Sequence, residues 1–139
     1  MTLQEQFKAC FNELTPEYTR IKLNKERIWN CRQERIEYEA NLEVSICTLL
    51  DVTCKRIDEL NNKIKFYYLQ TNSCIGKIVG NIRGLLIANG YDVTSNTDTA
   101  WRIVQDIKTL VDREDISEKK FRDGLKYIID KYKPSDKKA

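Results

Sequence analysis

The sequence predicts an all-α fold: a long N-terminal amphipathic helix or helical hairpin of coiled-coil type, followed by a small C-terminal helical cluster. Three observations carry this. Between Glu17 and Ile75 there is neither proline nor glycine, so nothing local breaks a helix. Apolar residues there recur at three-to-four spacing, and the frequent turns that strands need are missing. Charged residues reach 32%, with both signs interleaved, which suits long solvated helix faces.

The first helix starts at Thr2, because Thr2 and Glu5 have capping-box spacing and Leu3, Phe7, Cys10, Phe11 and Leu14 then share one face. Thr15-Pro16-Glu17 makes a corner, read with Thr15 as N-cap, Pro16 at the first helical position and Glu17 at the positive helix end. A seam follows through Tyr18, Ile21, Ile28, Leu42, Ile46, Leu49, Ile57, Leu60, Ile64 and Tyr67. As one helix it would extend ~55 residues, or roughly 80 Å. A stripe of that length must be covered, either by folding back near Asn30 or Asn61-Asn62, or by a second copy. Arg32, Arg35 and Glu39 interrupt it, and ion pairs across the seam would compensate.

From Ile75, the apolar residues Ile78, Val79, Ile82, Leu85 and Leu86 open the cluster, and Asn89-Gly90 supplies a C-cap. Gly76, Gly80 and Gly84 recur every fourth residue, which predicts a groove for close helix packing. Thr97 or Asp98 caps a helix carrying Trp101, Val104, Ile107 and Val111. Ser117 caps the last one, with Ile116 and Phe121 at staple spacing and Leu125, Ile128, Ile129 and Tyr132 buried. The expected organisation is therefore 1–74 for the long helical region, 75–133 for a three-helix cluster and 134–139 for a disordered tail.

Several chemistries lack their residues. With no histidine, the usual general base and the commonest metal ligand are missing, so no catalytic group, metal or cofactor is assigned. No apolar run approaches a membrane span. Five cysteines without a Cys-x-x-Cys pair or a preceding secretory signal read as reduced thiols of a cytoplasmic protein, with Cys47 and Cys54 expected on the apolar face. Asp92, Thr94, Asn96 and Asp98 alternate like calcium ligands but lack the central glycine and the twelfth-position glutamate.

Glu34 and Glu37, three apart, with Glu59 and Asn62 on a later stretch, resemble the paired acidic motif of all-α nucleoside triphosphate pyrophosphohydrolases. That resemblance implies carboxylates holding Mg²⁺ against a polyphosphate. Asn62 stands where the fourth carboxylate belongs, and the enzyme reading is correspondingly minor.

The leading expectation is a non-enzymatic protein-interaction module that self-associates as a dimer through the seam and acts as an accessory or regulatory protein on an unidentified protein partner. The alternative is nucleic-acid binding through Arg20, Lys22, Lys25, Arg27, Trp29, Arg32 and Arg35, where cations and a stacking aromatic lie together, although Glu17, Glu26 and Glu34 are interspersed. A second basic cluster, Lys119, Lys120, Arg122 and Lys126 with the tail lysines, carries the same two readings, nucleic-acid contact or a solvated face.

Overall fold

The computed structural model describes residues 1–42, 47–91, 93 and 96–133, with the side chains of 41, 42 and 47–51 excepted. It is all-helical: α1 (Leu3–Glu13), α2 (Thr15–Leu42), α3 (Cys47–Ala88), α4 (Thr97–Val111) and α5 (Glu118–Lys131), with no strand among the described residues. None of these helices is long and apolar enough to cross a membrane.

Two compact units form, one from Met1–Glu17 with Ile75–Ala139 and the other from Tyr18–Cys74. This differs from a sequential division at residue 74, because the first helix joins the C-terminal cluster. The reason lies in its apolar face. Leu3, Phe7 and Phe11 are buried, and α1 packs on both α4 and α5. Phe7 meets Phe121 at a 6.1 Å centroid distance, and both rings are fully buried.

Polar groups lock the same junction. The Leu3 backbone amide donates to the Glu118 carboxylate (3.2 and 3.3 Å), and the Gln4 side-chain Nε2 donates to the Val111 and Arg113 carbonyls (3.0 and 2.8 Å). Free helix-end amides and carbonyls of α1 and α4 are thereby satisfied by side chains distant in sequence. From α3, Ile78, Val79, Ile82 and Leu86 are buried, and from α4 and α5 Ile103, Val104, Ile107, Leu125 and Ile129.

The helix ends follow local chemistry with two displacements. Thr2 and Ser117 accept from the Glu5 and Lys120 amides as N-caps. Past α3, Gly90 takes φ +85°, its amide bonding Ile87 and that of Tyr91 bonding Leu86, the paired bonds of a Schellman stop. By contrast, Asn96 caps α4 in place of Thr97 or Asp98, because its extended backbone aims Oδ1 at the Thr99 amide (2.9 Å). Thr15 is likewise helical rather than a cap. The buried Leu14 turns the corner, its carbonyl accepting from the Glu17 amide at 3.1 Å.

In the second unit α2 and α3 run antiparallel. Asn24 meets Gln70, Arg27 lies over Tyr67, Arg35 meets Asn61 and Glu34 meets Arg56, so partner numbers fall as α2 advances. The seam is thus a hairpin of α2, which ends at Leu42, and α3, which begins at Cys47, and it does not fold back at Asn30 or Asn61-Asn62. Both of those asparagine sites are helical and exposed, and the helices on either side run on through them, which leaves two long arms whose apolar stripes face each other.

Candidate interaction surface

The hairpin closes most of its described seam from within. Ile21, Ile28, Leu60 and Ile64 are buried, each removing aliphatic surface worth about 1.5–3 kcal/mol. Tyr18, Ile57 and Tyr67 are half-buried. Leu42 and Leu49 lie outside the described side chains, and Ile46 outside the described residues. Asn24, 0% exposed, sits among them and donates to the Gln70 side-chain oxygen at 3.0 Å.

Where Arg32 and Arg35 replace hydrophobes, they reach across to α3. Arg32 donates to the Tyr68 hydroxyl with its guanidinium 5.3 Å from that ring's centroid, and Arg35 donates to Asn61 Oδ1 at 2.7 Å. Arg35 also lies 3.6 Å from Glu39.

The acidic motif meets a cation of the chain itself. Arg56 bonds Glu34 at 2.7 and 3.0 Å and Glu59 at 3.1 Å, and those bonds hold its guanidinium more basic than usual. Glu37 and Asn62 are exposed. An arginine therefore occupies the space between the two carboxylates where the resemblance would place Mg²⁺. Of the alternating calcium-type residues, Asp92 and Thr94 lie outside the described residues, and Asn96 spends its oxygen on a helix cap.

The glycine row does not pack. Among the described residues, a Cβ built on Gly76, Gly80 or Gly84 meets nothing within 4 Å, since Ile78, Val79, Ile82 and Leu86 carry the buried side of this helix and the glycines fall away from it. The close approach is at Gly124, where a Cβ would lie 2.9 Å from Leu110 Cδ2. Around it, Leu110, Arg113, Tyr127, Ile128 and Lys131 line a shallow α4–α5 groove. Cys54, expected on the apolar face, is exposed, and Cys47 lies outside the described side chains. Position 54 falls one step off the buried stripe marked by Thr53, Leu60 and Ile64.

The basic stretch divides between sides of α2. Arg27 lies over Tyr67 and Arg35 is tied to Asn61 and Glu39. Lys22, Lys25, Trp29 and Arg32 share a different, outward side, which Ile36 continues at the same three-and-four spacing. Trp29 is 62% exposed and forms a surface depression with Lys25, Glu26 and Asn30. Among the described residues, neither Lys22 nor Lys25 makes an ion pair. On α3, Phe66, Tyr68 and Leu69 are also exposed. Sequence reasoning marked the cations and Trp29 but missed Ile36, Phe66 and Leu69, which fall outside the seam that the three-to-four spacing picks out.

No protein-family model matches the chain, and no curated protein or solved structure is significantly similar to it.

Proposed function

We propose that the chain is a non-enzymatic helical interaction module, an accessory or regulatory protein that docks a partner protein on the outward surface of the α2–α3 hairpin. One observation carries the reading. The hairpin core is filled from inside, yet Trp29, Ile36, Phe66 and Leu69 remain in water, and most of the described large apolar side chains left exposed belong to this unit. Folding does not need them there, and Trp29 and Ile36, seven residues apart, share one exposed side of α2, the kind of apolar surface that marks a contact site. Free Cys10, Cys31, Cys54 and Cys74 fit a cytoplasmic setting.

The test is affinity capture from the source cells with the wild-type chain, Trp29→Asp and Leu69→Asp, helicity being checked by circular dichroism. A protein retained by the wild type and lost with both variants is expected. Equal retention by all three removes the reading. A second reading, nucleic-acid binding, draws on Lys22 and Lys25 beside Trp29 and predicts a steeply salt-dependent mobility shift.

A further inference from the structure

We infer that the outward stripe Lys22, Lys25, Trp29, Arg32 and Ile36 receives an acidic amphipathic helix of a partner protein, a conclusion that rests on the interaction-module reading above. The spacing is that of a helix-packing seam, three and four residues by turns, displayed to solvent. It spans about four turns, or roughly 21 Å, the length of a docked helical segment. Trp29 lies centrally and Ile36 at one end, supplying apolar anchors, while Lys22, Lys25 and Arg32 supply the flanking charge. Arg32 is held by the Tyr68 hydroxyl and ring, so its cation is positioned before any partner arrives.

Charge decides between occupants. A second copy laid antiparallel on the same stripe would set Lys25 against Arg32 and repel. Nucleic acid needs a broad cationic track, yet Arg27 and Arg35 turn to other sides and Glu26 borders the depression beside Trp29. Glutamates flanking a leucine stripe answer both the cations and the indole.

The probes are labelled four-turn helical peptides with a leucine stripe flanked by Glu, Gln or Lys, plus a duplex DNA, titrated by fluorescence anisotropy against the full chain. The Glu peptide is expected to bind at least about tenfold more tightly than the Gln peptide, to weaken with salt, and to lose about tenfold with Lys25→Glu or Trp29→Ala at unchanged helicity. Tighter binding of DNA, or of the Lys peptide, overturns the inference. Equal, Trp29-dependent binding of the Gln and Glu peptides overturns the charge claim and leaves the module reading standing. No peptide binding overturns the inference, and the module reading falls with it only if capture is also indifferent to Trp29→Asp.

Discussion

The Asn24 side-chain amide donates to Gln70 Oε1 at 3.0 Å inside the hairpin, while Asn24 Oδ1 is buried without a partner among the described residues. A buried amide half-satisfied in an apolar seam costs stability and sets register, the role of lone polar residues in coiled coils. Asn24→Leu is therefore expected to stabilise the chain by about 1 kcal/mol in chemical unfolding while broadening its size distribution, as alternative registers and pairings become accessible. A destabilised variant with a single sharp species would contradict this.

Phe7 and Phe121 tie the first helix to the last. Phe7→Ala and Phe121→Ala are each expected to cost about 3–5 kcal/mol, and less than the sum when combined, because they remove two sides of one contact. If the first helix were independent of the cluster, Phe7→Ala would leave the main unfolding transition in place.

Much of this architecture is legible in the residues, and the exceptions have physical causes. Thr2, Ser117 and Asn89-Gly90 act within one turn of themselves, so their caps can be read directly. Asn96 and Leu14 displace their predicted neighbours by a residue, because backbone angle selects among adjacent candidates. The pairing of α2 with α3 as a hairpin is announced by no Gly or Pro between Glu17 and Ile75, and the packing of Phe7 on Phe121 spans most of the chain. Neither leaves a local mark. The outward stripe was half visible, since its cations and Trp29 were recognisable but the division of Arg27 and Arg35 from it depends on Tyr67 and Asn61 across the hairpin.

The glycines separate by environment. Gly80→Ala adds a methyl in open space and is expected to stabilise by about 0.5–1 kcal/mol through helix propensity. Gly124→Ala pushes against Leu110, so it is expected to be about 1–2 kcal/mol less favourable than Gly80→Ala, with Leu110→Ala in the same chain recovering the difference. Equal effects at both glycines in thermal unfolding would refute the assigned contact.

Glu17 pairs with Lys77 at 2.5 Å, and that hydrogen bond holds its carboxyl below the usual range. A carboxylate depressed in the folded state contributes stability above its unfolded pKa of about 4.3, and the contribution is lost as pH falls through the lower folded value. Lys77→Met should therefore flatten the acid limb of a stability-against-pH curve below about pH 4.3 and leave its shape unchanged near neutrality. An unaltered acid limb would show the pair to be inconsequential.

The central claim is that the aliphatic stripe of α2 and α3 is covered by the chain's own hairpin, and light scattering on the eluting protein across a concentration series tests it most directly. The account predicts a 16.4 kDa species at every concentration, with Leu60→Asp reducing helicity but not mass. A species of twice that mass which Leu60→Asp splits into folded halves would contradict it.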